Sequence, residues 1–193
     1  NGAFFFFFST GTIAQIVATS CLLASFTNGN FAIGTAYSKS EAAQAALVGL
    51  ILLGDSVDAW VLVGIAVSLV GVLLLSGNVG FRDLLRPNKA MWLGIAAGTG
   101  FAISAVGFRG ASLALEGGSY LQRAGLTVMV SVTLQMLLMG GFLAVREPRQ
   151  IGKVIRAWRV AIWVGAIGMV ASVGWFTAMT LKNAAVVRAV GQV

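Results

Sequence analysis

The sequence has no histidine and a single cysteine, and its 6 acidic residues face 13 basic ones. The missing histidine excludes imidazole metal ligands, a histidine proton relay and the general base that enzymes use most often. Cys21 has no second cysteine with which to form a disulfide in the chain. No phosphate-binding glycine loop, metal-ligand spacing or nucleophile triad occurs. We therefore expect no enzyme, cofactor or metal site.

Charged residues are also scarce, at 10% of the chain, whereas 58% of the residues are hydrophobic and the mean hydropathy is +0.91. A water-soluble domain of this length does not need so much apolar surface. The apolar residues form continuous runs of about 20, the length at which a helix crosses a hydrocarbon layer roughly 30 Å thick. Continuous runs favour helices over the alternating strands of a barrel. The sequence predicts an all-α, polytopic membrane protein.

Seven hydrophobic segments are separated by short polar turns. We predict membrane helices at residues 3–26, 31–53, 59–76, 90–115, 124–145, 160–181 and from 184 onward. Turn residues stand between them, as at Gly54-Asp55-Ser56, which offers a helix end followed by an N-cap. Short connections of this kind make sequential helices antiparallel neighbours.

Residues 146–159 have a different pattern. Pro148 suits the first turn of a helix. Four large apolar residues then recur at helical spacing and four cations lie among them: Ile151, Val154, Ile155 and Trp158 against Arg149, Lys153, Arg156 and Arg159. This is typical of a short amphipathic helix on a membrane surface, where it could bind anionic lipid headgroups. The alternative is a basic loop that only sets the membrane topology.

The net charge of +7 does not indicate a nucleic-acid partner, because the cations flank membrane segments rather than line a soluble face. Eight cations lie in the loops after the first, third and fifth segments: Arg82, Arg86, Lys89, Arg146, Arg149, Lys153, Arg156 and Arg159. The other loops carry only Arg123 and Lys182. The positive-inside rule makes the first set cytoplasmic and places residue 1 outside.

A shift of 153 residues suggests an internal repeat, because it aligns Thr27, Asn30, Ala32 and Ala36 with Thr180, Asn183, Ala185 and Ala189. The same shift aligns the junction of the first two segments with that of the last two. Each unit would hold five helices, and an odd number inverts the second copy in the membrane.

Several stretches carry a resemblance to a known family. Residues 39–41 read Lys-Ser-Glu, residues 45–55 read Ala-Ala-Leu-Val-Gly-Leu-Ile-Leu-Leu-Gly-Asp, and residues 63–75 read Val-Gly-Ile-Ala-Val-Ser-Leu-Val-Gly-Val-Leu-Leu-Leu. Together they resemble the end of an EamA-like domain of the drug/metabolite transporter superfamily, with Asp55 in place of the usual Glu. Residues 175–178, 183–185 and 188–192 resemble the equivalent junction in that family's second copy.

The resemblance implies ten helices in two inverted repeats around a central cavity in the plasma (inner) membrane, and secondary transport of metabolites or drugs. Residues 1–76 would be the last three helices of the first repeat, residues 77–89 the connecting loop, and residues 90–193 the first four helices of the second. About two helices would then precede residue 1. The family's termini are cytoplasmic, opposite to the charge count, so the orientation stays open.

Ionisable residues inside spans are costly, at about 3 kcal/mol or more each, and need a partner or a wet cavity. In the second segment Tyr37, Glu41 and Gln44 share one helical face, and Lys39 projects away from it. We interpret Glu41 as a cavity residue that pairs with a substrate amine or accepts a proton. The alternative is a structural salt bridge from Glu41 to Lys39 or Arg109.

In the last segment Arg188 and Gln192 are four residues apart and therefore share a face. The repeat aligns Gln192 with Lys39, so both helices would offer polar groups to one midplane cavity. Arg188 could hold a substrate carboxylate through two hydrogen bonds. A snorkelling arginine near a helix end is the alternative.

Arg109 is either a cavity residue or a partner for Glu116 two turns on. Trp175 and Phe176 could stack on an aromatic substrate, although interfacial or packing roles are the alternative. Polar groups such as Gln15 and Gln135 could line a cavity or join helices, and the spacing of Gly94 and Gly98 predicts close helix packing.

These residues favour a secondary transporter that moves a small-molecule substrate by alternating access, with lipid as its surroundings and proton coupling as one option. One alternative is a non-transporting assembly or sensor subunit, in which Glu41 and Arg188 would be buried in permanent ion pairs. The other is an intramembrane enzyme, for which the chain lacks a paired catalytic set. Neither the substrate nor the oligomeric state follows from the sequence.

Overall fold

The computed structural model describes residues 1–27, 31–56, 58–75 and 87–191, and these contain helices and no strand. In chain order the helices are α1 (Gly2–Thr27), α2 (Phe31–Ser38), α3 (Glu41–Leu53), α4 (Ala59–Leu75), α5 (Lys89–Ala114), α6 (Tyr120–Arg146), α7 (Pro148–Arg156), α8 (Trp158–Leu181) and α9 (Ala184–Val190).

Four of these helices, α1, α5, α6 and α8, are long and apolar enough to cross a membrane. They contain 24 to 27 residues, which exceeds the length of about 20 residues that a bilayer requires. The all-helical class and the membrane character predicted from composition are therefore confirmed.

Local capping groups fix where the long helices begin. The Asn88 side chain accepts a hydrogen bond from the Met91 amide at 2.8 Å, which starts α5. Ser119 and Gln122 form a reciprocal capping box at the start of α6. That box starts α6 at Tyr120, four residues before the predicted start at residue 124.

The prediction of one helix over residues 31–53 is wrong, because Lys39 and Ser40 form a turn between α2 and α3. The Ser38 hydroxyl donates to the Thr35 carbonyl at 2.8 Å, and the Ser40 hydroxyl donates to the Tyr37 carbonyl at 2.7 Å. Serine hydroxyls that bond back to the preceding turn compete with the helical ladder and bend it. The turn places Glu41 in the first turn of α3.

Helix α5 lies at the centre of the packing and contacts α1 most extensively. A Cβ atom at Gly107 would lie 2.9 Å from the Gly11 Cα atom, and a Cβ atom at Gly100 would lie 2.8 Å from the Ala18 side chain. Small residues thus let the two backbones approach closely. The short connections, from which only neighbour packing of the first segments was predicted, gave no sign of this long-range contact.

The predicted packing role of Gly94 and Gly98 is confirmed on another side of α5. A Cβ atom at Gly94 would lie 2.7 Å from the Gly34 carbonyl oxygen, and one at Gly98 would lie 2.9 Å from the Ser38 carbonyl oxygen. The break between α2 and α3 therefore rests directly on α5.

Helices α6 and α8 pack on each other and keep most of their apolar side chains exposed. The buried residues of α8 are Met179 and Thr180, near its C-terminal end. A helix that is apolar on all sides needs an apolar environment around it. Exposure of this kind agrees with helices that face lipid.

We predict that Gly107→Ala lowers stability by about 1–3 kcal/mol, because the added methyl group meets backbone atoms that cannot move aside. Gly168→Ala in α8 is the matched control, since nothing lies within 4 Å of its Cβ position. Thermal unfolding of the purified protein in detergent measures both variants. Equal stability of the two would contradict the close α1–α5 contact.

Candidate functional site

An ion pair between α3 and α9 forms the candidate site. The Arg188 guanidinium lies 3.6 Å from the Glu41 carboxylate, and their side chains are 18% and 10% exposed. The two predicted cavity residues are thus brought together. Glu41 contacts Arg188 rather than the Lys39 or Arg109 considered as its salt-bridge partners.

Alanines align the two helices that carry this pair. Ala42, Ala45 and Ala46 of α3 and Ala184 and Ala185 of α9 belong to one buried cluster. Small side chains allow α9 to lie close against α3. Arg188 then extends from the next turn of α9 toward Glu41, at the start of α3.

Trp175 of α8 supports the arginine from another side. The Arg188 guanidinium lies over the indole ring at 5.4 Å from its centroid, which is a cation–π contact. The end of that ring also lies against Gly191, where a side chain would have no room. The structure thus places the Trp175 ring against the Arg188 guanidinium, whereas the sequence predicted that the ring could stack on an aromatic substrate.

The pair is only loosely held. Two charges about 4 Å apart attract by about 4 kcal/mol at an effective dielectric constant of about 20. Removing each ion from water costs several kcal/mol, so attraction and desolvation roughly cancel. The separation of 3.6 Å is also longer than a charge-assisted hydrogen bond, which needs about 2.7–2.9 Å.

The Arg188 Nε atom is buried and has no hydrogen-bond partner among the residues that the structure describes. A guanidinium presents its N–H groups as a planar fork suited to a carboxylate. Glu41 approaches one terminal nitrogen and leaves Nε unused. Arg188 therefore has an unused Nε–H donor beside the terminal nitrogen that faces Glu41.

A groove of about 600 Å³ adjoins the site between α8 and α9. Its walls are mostly apolar and include Trp175, Lys182, Val187 and Gly191. Trp175 is the residue that this groove shares with the surroundings of the ion pair, because its ring also lies against the Arg188 guanidinium.

Tyr37 and Gln44, predicted to share the face of Glu41, contact α5. Tyr37 packs with Met91 and beside Gly94, and Gln44 accepts a hydrogen bond from the Thr99 hydroxyl. The Gln44 amide also donates to the Ser40 hydroxyl at 2.8 Å, across the start of α3. These contacts with α5 therefore stabilise the break.

Arg109 is an anchor whose ion-pair partner is Asp55 rather than the predicted Glu116. Its guanidinium donates to both carboxylate oxygens of Asp55, at 3.2 and 3.1 Å. It also donates to the carbonyls of Met179 at 2.7 Å and Lys182 at 2.8 Å. A positive charge at the carbonyl end of α8 satisfies groups that a helix leaves unpaired.

Asp55 reaches Arg109 because of the glycine before it. Gly54 ends α3 with a φ of 66°, a left-handed conformation that favours glycine. The turn brings the Asp55 carboxylate back beside Gly49, where a Cβ atom would lie 3.2 Å from it. The helix end at Gly54 is confirmed, whereas the ion pair of Asp55 was missed. An acidic residue after a helix-ending glycine was its only sequence signal.

The remaining candidate residues either pack between helices or lie outside the described residues. Phe176 stacks on Phe108 with centroids 4.4 Å apart, and Gln15 accepts a hydrogen bond from the Ser104 hydroxyl at 2.6 Å. These are packing and interhelical roles. Gln192 lies outside the described residues.

Comparison with protein-family models, curated proteins and solved structures gives no match to this chain. The fold and the site thus define a class, an α-helical membrane protein with a buried ion pair beside a broken helix. A function within this class therefore has to be argued from the contacts of individual residues.

We predict that Arg109→Gln lowers stability by about 3–5 kcal/mol, because it leaves the Asp55 carboxylate buried without a counter-charge. The double variant Arg109→Gln/Asp55→Asn should recover part of that loss. A double-mutant cycle on thermal unfolding in detergent measures the coupling. Additive effects of the two substitutions would contradict the anchor.

Proposed function

We propose that the protein is a secondary transporter, which moves small metabolites or drugs across the membrane by alternating access. The observation that carries the proposal is the Glu41–Arg188 ion pair, which lies at a helix break inside an apolar bundle. Ionisable groups at such a place are costly and are typical of substrate or ion pathways.

The broken helix supports this proposal. Transporters often build their sites from discontinuous helices, whose half-helix ends point at charged groups. The break at Lys39 and Ser40 leaves the first amides of α3 without a helical carbonyl to bond. The positive end of α3 then lies at Glu41 and favours a carboxylate there.

The loose ion pair supplies a way to exchange partners. We propose that a substrate carboxylate binds the Arg188 guanidinium, including its unused Nε–H group, and releases Glu41. Glu41 is then free to pair with a substrate amine or to take up a proton. Because a substrate group or a proton would replace each lost partner, neither ion would be left buried alone, which would cost about 3–5 kcal/mol.

The larger architecture belongs to the same proposal. We propose an EamA-like protein of the drug/metabolite transporter superfamily, multi-pass in the plasma membrane, with two inverted repeats of five helices. The seven predicted segments would be part of that plan, divided at residues 77–89. The residues quoted above for the resemblance support it.

A second candidate function is a non-transporting assembly or sensor subunit. The observation in its favour is that Glu41 and Arg188 already pair and are mostly buried. In such a subunit the pair would be permanent and dry. In a transporter, water must reach it from alternate sides.

We predict that cysteines placed at Tyr37, Glu41 and Arg188, one at a time in a Cys21→Ala background, react with a membrane-impermeant maleimide in vesicles. Water reaches the pair in a transporter, so at least the positions 41 and 188 should react. Ala105, fully buried against the core, provides the unreactive control position. If none of the three sites reacts from either side, the subunit function replaces transport.

We predict that Glu41→Gln abolishes coupled transport without loss of folded protein, because the amide neither carries charge nor accepts a transferable proton. Proteoliposomes that contain a pH-sensitive dye would report proton flux when small amines and carboxylates are added. Glu116→Gln, at an exposed acidic residue, is the matched control. Failure of Glu41→Gln to fold would instead favour the structural ion pair.

A further inference from the structure

Helix α7 is the one described element between two long helices that buries none of its residues in the chain. It follows directly on α6, which ends at Arg146, and precedes α8, which begins at Trp158. Both neighbours are long enough to cross a membrane, so their adjacent ends lie at one membrane surface. A segment that joins two such ends is placed to meet the lipid headgroups.

The residues of α7 divide into two faces. At 100° per residue, Arg149, Lys153 and Arg156 cluster on one side of the helix axis. The large apolar residues occupy the opposite side: Ile151, Val154, Ile155 and the adjoining Trp158. Val154, Ile155 and Trp158 are each more than half exposed. Of the two predicted alternatives for this segment, a helix and a loop, the structure shows the helix. No described part of the chain buries its apolar side chains.

The net charge of the segment is strongly positive. Residues 146–159 carry five cations and one acidic residue, Glu147, whose carboxylate accepts a hydrogen bond from the Gln150 side chain. Within the described part of the chain, Arg149, Lys153 and Arg156 have no acidic partner. A surface with this pattern is complementary to negative charge.

We propose that α7 lies in the plane of the membrane and docks on anionic phospholipid. Its apolar face enters the boundary between headgroups and acyl chains, and its three cations contact lipid phosphates. The amphipathic geometry favours a lipid surface over a soluble anion, which would use the cations and leave the apolar face in water. This proposal does not depend on the transport activity.

The test uses the full chain with Cys21→Ala and Val154→Cys, labelled at position 154 with an environment-sensitive fluorophore. The protein is reconstituted into vesicles of phosphatidylcholine alone or with about one third phosphatidylglycerol, each containing brominated lipid as a quencher. Docking on anionic lipid should increase quenching when phosphatidylglycerol is present. High salt should reverse part of that increase, because it screens exposed charges.

One charge-removing variant and two controls test the cations. Each cation near an anionic surface changes the docking equilibrium about fivefold, so Lys153→Gln/Arg156→Gln should weaken docking roughly 30-fold. Arg123→Gln/Lys182→Gln removes the same charge at the opposite ends of α6 and α8 and should leave docking unchanged. Arg149→Lys/Arg156→Lys keeps the charge and should keep docking.

Three outcomes would overturn the proposal. Equal quenching in both lipid compositions would mean that the apolar face alone positions α7. A label that stays in water in both would mean that α7 does not dock. Release of the label by inorganic phosphate would identify a soluble-anion site. If Lys153→Gln/Arg156→Gln fails to fold, the difference in quenching between the two lipid compositions, measured with all the cations of α7 in place, still tests the proposal.

Discussion

The contact of Arg109 with two loops determines how the helices around the candidate site are placed. The Asp55 carboxylate lies just after α3, and the Lys182 carbonyl lies just before α9, so one guanidinium holds the end of one helix beside the start of the other. Asn183 adds a hydrogen bond to the Ser56 carbonyl at 2.9 Å. With these ends fixed, α9 lies against α3 and its arginine meets Glu41.

The two buried arginines differ in how completely their donors are used. Arg109 directs all three of its nitrogens at oxygen acceptors, with two bonds to one carboxylate and others to backbone carbonyls. Such an arrangement compensates the cost of burying the charge. Arg188 has one distant carboxylate, an aromatic ring and an unpaired Nε atom. Full satisfaction suits a permanent joint, and partial satisfaction suits a group that changes partners.

The sequence predicted what depends on local chemistry. Lengths of apolar runs located α1, α5, α6 and α8, and Gly54 marked the end of α3. The break after Ser38 was missed because hydropathy continues across it and neither proline nor glycine stands there; two back-bonding serines were its only signal. The partner of Arg109 was missed because Asp55 lies 54 residues away, and such pairings are set by tertiary packing. Helical spacing alone predicted that Tyr37 and Gln44 lie on the same face as Glu41. In the structure the helix breaks between them, and Tyr37 and Gln44 contact α5.

The absent side chain at Gly98 has a consequence for how Glu41 is reached. The Ser38 carbonyl occupies the space where a Cβ atom would be, so α5 and the break touch along their backbones. No acyl chain or file of water fits between surfaces that close. That flank is therefore closed by backbone contact, and a molecule that reaches Glu41 has to approach from another side. A hydrogen atom in place of a methyl group thus seals the α5 side of the break.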